Sequence, residues 1–125
     1  MWTFTTFLFA RYFLLQNLRY NRLTSLTLPL GLTNLTWLNL GYNRLTSITL
    51  PAELTSLTNL YLNGNRLTNF SFLSGLTSLT SLGLDITYLT DTSFLSGLTN
   101  LTVLSLGGVW SRLLLSLSNG WMFLP

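Results

Sequence analysis

Few side chains in this sequence could take part in catalysis. There is no His and no Cys, and all six basic residues are Arg, so imidazole bases, thiol nucleophiles and lysine amines are missing. The three acids are Glu53, Asp85 and Asp91; only Asp85 falls in an extended stretch, so no acid pair at glycosidase spacing is expected. Ser and Thr are abundant but have no base to activate them. The sequence predicts a protein that is not an enzyme and binds no metal ion or cofactor.

Three arginines, Arg22, Arg44 and Arg66, recur at a spacing of 22 residues, each directly after an Asn. On a repeating structure they would form one column, and guanidinium groups match carboxylates and phosphates, which suggests an anion-binding rim. The alternative is that duplication copied a solubilising charge, because a charge run is usually a solvated face. We favour this second interpretation. A net charge of +3 is well below the positive charge of a typical nucleic-acid-binding surface, which carries a dense Lys/Arg face. No nucleic acid is therefore expected as a partner.

The same 22-residue offset organises most of the chain. The stretch LTNLTWLNLGYNRLTSITLPAE from Leu32 aligns with LTSLTNLYLNGNRLTNFSFLSG from Leu54, and the frame extends over residues 13–109 as about five repeats without insertion. Leu-x-Leu pairs such as Leu38 and Leu40 have the period of a strand with one buried face. Stacked repeats therefore predict a parallel sheet, with short irregular or one-turn helical return segments as the opposite wall.

An Asn follows the strand in three successive repeats, at Asn21, Asn43 and Asn65, where the pattern asks for a buried residue. Backbone groups at the exit of a strand lack partners, and a side-chain amide can both donate to and accept from the neighbouring repeat. Leaving such groups unpaired costs about 1–3 kcal/mol per site. We expect a structural Asn ladder. The next equivalent positions hold Thr87 and Val109, so the stack is expected to weaken toward its C-terminal end.

The L-x-x-L-x-L-x-x-N-x-L pattern resembles the leucine-rich repeat family, and the 22-residue period with its LTNLTxLxL wording is similar to the bacterial internalin type. The resemblance covers about four fifths of the chain. It implies an α/β fold, a leucine-rich repeat solenoid that curves as a right-handed superhelix. The parallel sheet would line the concave face and the short irregular or helical returns the convex face.

Outward strand positions form that concave face, which is the usual binding surface of a solenoid. Aromatic side chains among small polar groups are typical of protein-binding hot spots. The residues expected to contact a partner are Trp37, Asn39, Asn59, Tyr61, Asn63 and Asp85. The alternative is that Trp37 and Tyr61 are exposed incidentally.

The pattern favours a protein–protein interaction module that binds a protein partner through the concave sheet. One alternative is a structural or decayed repeat fragment with no binding role of its own, and another is a carbohydrate-binding surface. The two ends favour the interpretation that this chain is a piece of a longer repeat array, because neither end offers a polar capping repeat. Residues 1–12 are expected to be a partial or degraded N-terminal repeat, and residues 110–125 an irregular C-terminal segment. The other interpretation of both ends is a pair of aromatic caps.

The ends also bear on self-association and location. Uncapped apolar ends favour self-association. The opening run MWTFTTFLFARYFLL lacks a basic n-region, so it does not predict a signal peptide. No apolar run reaches the roughly 18 residues of a membrane span. The compartment stays open, and a cell-surface or secreted location fits a chain that belongs to a longer protein.

Overall fold

The computed structural model describes residues 17–85, 89 and 92–106, together with the backbone of 122–124. These residues contain short strands and two 3-10 helices, η1 (Ser71–Leu73) and η2 (Ser93–Gly97). The strands are β1 (Ser25–Thr27), β2 (Trp37–Asn39), β3 (Ser47–Thr49), β4 (Asn59–Tyr61), β5 (Ser81–Gly83), β6 (Val103–Ser105) and β7 (Met122–Leu124).

Five of the strands form one parallel sheet in the order β2, β4, β5, β6 and β7. From β2 to β6 the register follows the sequence repeat, because Leu38 lies opposite Leu60 and Leu60 lies opposite Leu82. Asn17 adds a parallel bridge to Asn39 at the same offset. The predicted solenoid, with one sheet strand in each repeat, is confirmed.

The return segments differ along the chain. The first two contain β1 and β3, which pair in parallel as a second sheet with Leu26 opposite Ile48. Their SLT and SIT stretches place an apolar side chain between two exposed polar ones, which suits a strand. Pro29 and Pro51 follow each strand closely and end the pairing, because proline has no N–H to donate. The next two returns contain η1 and η2, as predicted, whereas the strands of the first two were not predicted.

Leucines from strands and returns form one continuous core. The middle residues of β2, β4, β5 and β6 are fully buried. The return side adds buried aliphatic and aromatic residues, and the ring of Phe70 stacks on that of Phe94 at 5.3 Å between centroids. Each buried Leu side chain stabilises the fold by about 1.5–3 kcal/mol. Buried residues of the return wall are Ile48, Leu54, Phe70, Leu73, Leu76, Leu95 and Leu98.

Within this core, Asn65 is almost fully buried and bridges two repeats. Its Nδ2 donates to the carbonyl oxygens of Leu40 and Leu62, each at 2.9 Å. Its Oδ1 accepts from the backbone N–H of Leu45 at 3.0 Å. One amide therefore satisfies two backbone groups of the preceding repeat and one of its own.

Asn43 repeats this arrangement one repeat earlier. Its Nδ2 donates to the carbonyls of Leu18 at 2.9 Å and Leu40 at 3.0 Å, and its Oδ1 accepts from the N–H of Leu23 at 3.2 Å. Asn21 differs, because it is exposed and donates to Leu18 within its own repeat at 2.9 Å. Among the described residues, the bonds that bridge two repeats are those of the two buried amides.

A second set of side-chain bonds joins the repeats just before each strand. The hydroxyl of Thr58 donates to the carbonyl of Thr36 at 3.0 Å, that of Thr80 to Thr58 at 3.2 Å, and that of Thr102 to Thr80 at 3.1 Å. The backbone N–H of each donor residue reaches the same carbonyl at 2.8–2.9 Å. These threonines recur every 22 residues, and the sequence analysis assigned them no role.

Several predictions about the ends fall outside the described residues. Residues 1–12, Thr87 and Val109 are among these, so the weakening of the stack and the division into segments remain predictions. In the C-terminal segment, β7 pairs with β6 and places Met122 opposite Val103, an offset of 19 residues. The sheet thus continues beyond the 22-residue sequence phase. Among the helices that the structure describes, none is long and apolar enough to cross a membrane.

Replacing Asn65 with Ala should lower the free energy of unfolding by about 2–4 kcal/mol, because the N–H of Leu45 and the carbonyl of Leu40 lose a buried partner. Chemical denaturation followed by circular dichroism measures this change. Asn34→Ala is the matched control, since Asn34 is exposed in a turn and its loss should change stability by less than about 0.5 kcal/mol. Equal effects of the two substitutions would contradict a bridging role for Asn65.

Candidate functional site

The open side of the five-stranded sheet is the concave face on which the sequence analysis placed the binding residues. In β2, β4, β5 and β6 the middle residue is buried, and its neighbours point outward and are mostly half-buried. Parallel pairing sets Trp37 beside Asn59 and Asn39 beside Tyr61. The outward columns run Trp37, Asn59, Ser81 and Val103, and Asn39, Tyr61, Gly83 and Ser105.

Trp37 and Tyr61 form an aromatic pair on this face. Their ring centroids lie 6.0 Å apart and their planes are tilted by 57°. The Tyr61 hydroxyl lies 3.4 Å from the Ser81 hydroxyl on the next strand. Tilted aromatic pairs at this distance attract each other beyond the area they bury, so each ring helps to hold the other in place.

A depression of about 300 Å³ lies between this pair and the loops that follow the strands. We call it the aromatic depression. Four of the six predicted contact residues line it, whereas Asn59 in β4 and Asp85 just after β5 lie outside its lining. The lining residues are Arg19, Trp37, Asn39, Gly41, Tyr42, Tyr61 and Asn63.

The outward asparagines are held by local hydrogen bonds. The Oδ1 of Asn39 accepts from the N–H of Gly41 at 2.9 Å, and the Oδ1 of Asn59 lies 2.8 Å from the Thr58 hydroxyl, which shares its single proton between this oxygen and the Thr36 carbonyl. Because an oxygen of each amide is engaged and its side chain is oriented, the Nδ2 donors point in fixed directions. A partner that uses these donors does not have to order the side chains first.

Asn63 and Asp85 form a short polar chain toward β6. The Nδ2 of Asn63 donates to Asp85 Oδ2 at 3.0 Å, and the hydroxyl of Ser105 lies 2.7 and 2.9 Å from the two carboxylate oxygens. A carboxylate only accepts, so it fixes the Asn63 amide with Nδ2 toward Asp85. The Oδ1 of Asn63 is thereby turned inward, where it is buried and has no hydrogen-bond partner.

The buried Oδ1 of Asn63 packs against Gly83, which explains the glycine in the outward column. A Cβ added at Gly83 would collide with this oxygen and would lie 2.9 Å from Cδ1 of Tyr61. The missing side chain therefore makes room for two of the predicted contact residues.

A cluster of Arg19, Tyr20 and Tyr42 borders the aromatic depression and was not predicted from the sequence. The two tyrosine rings stack with centroids 4.9 Å apart and planes 23° from parallel. Cζ of Arg19 lies 4.5 Å from the centroid of Tyr20 and 4.8 Å from that of Tyr42. All three side chains are exposed. Cation–π attraction of this kind orients a guanidinium group at the surface.

The backbone explains where these tyrosines stand. Tyr20 and Tyr42 have φ of 59° and 55°, and Gly64, one repeat later, has φ of 68°. The chain thus enters the left-handed region at the same point of three repeats, just before each Asn. At Gly64 the missing side chain leaves space for the Tyr42 ring, whose Cδ1 would lie 3.0 Å from an added Cβ. The 22-residue spacing of Tyr20 and Tyr42 is the sequence signal that relates the two rings, whereas the contact of Arg19 with them follows from the backbone conformation.

The rim arginines Arg22, Arg44 and Arg66 are exposed, as expected for a solvated column. The backbone N–H of Arg44 donates to Leu23 at 2.9 Å and that of Arg66 to Leu45 at 2.9 Å, so their positions follow the stacking of the repeats. None of the three lines the aromatic depression. Their anion-binding role remains a prediction.

A larger hollow of about 510 Å³ lies on the return side, bordered by Phe70, Phe94 and small hydroxyl residues such as Ser71 and Ser93. Its described lining carries no charged side chain, and the two rings are stacked on each other. It offers little that could orient a ligand, so the concave face remains the better candidate.

The repeat geometry agrees with a known family. A family model described as Leucine Rich repeats (2 copies) matches residues 33–75 and again residues 55–97, together just over half of the chain. This chain belongs to the leucine-rich repeat family. Leucine-rich repeat proteins generally bind other proteins, and this chain is a protein-interaction repeat module. No curated protein sequence matches it.

Two solved structures of internalins from Listeria monocytogenes are similar to this leucine-rich repeat chain. An internalin named InlF is 35% identical over 74% of this chain and 28% of its own, with a TM-score of 0.56. Internalin C2 is 31% identical over 75% of this chain and 43% of its own, with a TM-score of 0.55. The chain spans less than half the length of either. Both likenesses confirm the internalin-like type predicted from the repeat length.

Replacing Gly83 with Ala should disturb the face without altering the backbone conformation, because φ at this position is not positive. We expect a loss of about 1–3 kcal/mol in the free energy of unfolding from overpacking, and shifted NMR resonances of Asn63 and Tyr61. Gly75→Ala is the control, since nothing lies within 4 Å of an added Cβ there. Unchanged resonances in Gly83→Ala would show that this contact does not set the geometry of the face.

Proposed function

We propose that this leucine-rich repeat module binds its protein partner through the concave sheet face, with Trp37 and Tyr61 as the main contacts. The single observation that carries the proposal is the tilted pair of these rings at 6.0 Å, on a sheet face whose other outward residues are mostly small and polar. Hot spots of protein interfaces are enriched in Trp and Tyr surrounded by weaker polar contacts. Asn39, Asn59, Asn63 and Asp85 supply those surroundings.

The polar residues support the proposal because their hydrogen bonds already hold them in place. Asn39 and Asn59 are anchored through Oδ1, and Asn63 is anchored through Asp85. Binding then costs less conformational entropy than it would with freely rotating side chains. A surface held in this way favours a specific partner over unspecific adhesion.

The size of the face sets the expected affinity. Five repeats at about 4.8 Å spacing, each with two outward residues in the strand and a third just after it, offer about 400 Å². A specific interface buries about 800 Å² on each partner. The described face thus supplies about half of a standard interface, and we expect modest affinity for a partner that touches only this surface.

A scaffold role without binding is the main alternative, and self-association through the chain ends is a further prediction that falls on residues outside the described part. The Trp37–Tyr61 pair favours binding over a scaffold role, because half-exposed aromatic rings contribute little to a core. A carbohydrate is the other candidate partner for this face, so an experiment has to separate it.

The test is a selection of random displayed peptides against the immobilised chain, followed by affinity measurements with Trp37→Ala plus Tyr61→Ala. We expect the double substitution to weaken binding of the selected peptides at least about tenfold, which corresponds to about 1.4 kcal/mol. Leu30→Ala is the control, because Leu30 is 70% exposed in the return after β1. Unchanged binding by the double variant, or equal losses in both proteins, would rule out the concave face.

A further inference from the structure

We propose that the aromatic depression recognises an acidic side chain of the protein partner, with the guanidinium of Arg19 as the group that binds the carboxylate. The occupant is an extended protein segment that places an Asp or Glu at Arg19 and an apolar side chain against Trp37 and Tyr61. This inference rests on the proposed function and adds the chemistry of the partner.

Arg19 is held in a geometry that suits a carboxylate. Its Cζ lies 4.5 and 4.8 Å from the centroids of Tyr20 and Tyr42, and the stack of the two rings is itself ordered. A guanidinium that uses its face on an aromatic ring keeps its N–H donors in its plane, where they can pair with both oxygens of a carboxylate. The exposed end of Arg19 is therefore both oriented and accessible.

The stem of this arginine passes beside Gly41 of the next repeat. A Cβ added at Gly41 would lie at an ordinary van der Waals distance of 3.7 Å from Cγ of Arg19, whereas Oδ1 of Asn39 would be closer, at 3.1 Å. Arg19 itself lines the aromatic depression, so its side chain lies at the edge of this site. The register of the repeats places the charge and the aromatic pair at one site.

The charge around the aromatic depression is complementary to an acidic segment. Its described lining contains one cation, Arg19, and no acid. Asp85 lies three repeats after Arg19, beyond Asn63, at the end of the aromatic depression away from Arg19. Its carboxylate already accepts from Nδ2 of Asn63 at 3.0 Å and from the hydroxyl of Ser105, whereas the guanidinium of Arg19 is exposed.

A protein segment fits the site better than a sugar. Sugars offer many hydroxyls, which need free polar partners, yet Oδ1 of Asn39 is taken by Gly41 and Nδ2 of Asn63 by Asp85. The rings of Trp37 and Tyr61 are tilted by 57°, so they do not present one flat surface for a sugar ring. Two tilted rings instead form a notch that an apolar side chain can enter.

The test uses the peptides selected against the whole chain and asks for their sequence and their dependence on Arg19. We expect enrichment of Asp or Glu next to an apolar residue, and about tenfold weaker binding by Arg19→Gln. Arg19→Lys should recover only part of this loss, since it keeps the charge but not the planar donors. Binding to the wild type should weaken between about 50 mM and about 500 mM NaCl, and binding to Arg19→Gln should weaken much less.

Arg22→Gln is the matched control, because it removes the same charge from a position outside the aromatic depression. It should change affinity by less than about twofold. Circular dichroism of every variant checks that the fold is intact. In a double-mutant cycle, changing the peptide acid to its amide should cost about tenfold with the wild type and almost nothing with Arg19→Gln.

The outcomes separate the two proposals. Peptides that depend on Trp37 and Tyr61 but show neither acid enrichment nor loss with Arg19→Gln would overturn this inference and leave the proposed function standing. Equal losses in Arg19→Gln and Arg22→Gln would overturn it as a general charge effect. If an oligogalacturonate bound more tightly than the selected peptides and its binding depended on Arg19, the inference would be overturned, because the ligand would be an acidic sugar. A failure to select any peptide that depends on the aromatic pair would contradict both proposals.

Discussion

The described solenoid depends on two buried side-chain amides, each of which joins its repeat to the one before it. Asn43 and Asn65 each satisfy backbone groups of two repeats, at a point where the chain leaves the strand and no sheet partner exists. Leu packing alone is non-directional and would tolerate a slip along the stack. The amide bonds are directional, so together with the threonine hydroxyls they fix the offset at 22 residues.

The binding surface follows from that fixed offset. With every repeat in register, Trp37 meets Tyr61 diagonally on neighbouring strands, and the left-handed residues at Tyr20 and Tyr42 bring their rings into a stack. A slip by one residue would turn each outward side chain into the core. Stability and recognition therefore share one cause, since the bonds that hold the repeats also align the side chains that face a partner.

The features that recur with the 22-residue repeat could be predicted from the sequence. The features that depend on contacts between particular side chains could not. The solenoid, its register and the buried position of Asn43 could be predicted, because period and polarity alone determine them. The strands β1 and β3 were missed, because three residues of alternating polarity give too short a signal. The cluster of Arg19 and its two tyrosines was missed because cation–π contacts join residues 19, 20 and 42, and only a known backbone conformation shows that these side chains meet.

Amide hydrogen exchange at Leu45 tests the central role of the amide bonds most directly. The N–H of Leu45 donates to the side chain of Asn65, whereas that of Leu62 donates to the carbonyl of Gly83 on the next strand. If the hydrogen bond to Asn65 is as stable as the backbone hydrogen bonds of the sheet, the amides of Leu45 and Leu62 exchange at similarly slow rates. Exchange at Leu45 as fast as at an unprotected amide, with Leu62 still protected, would contradict the account.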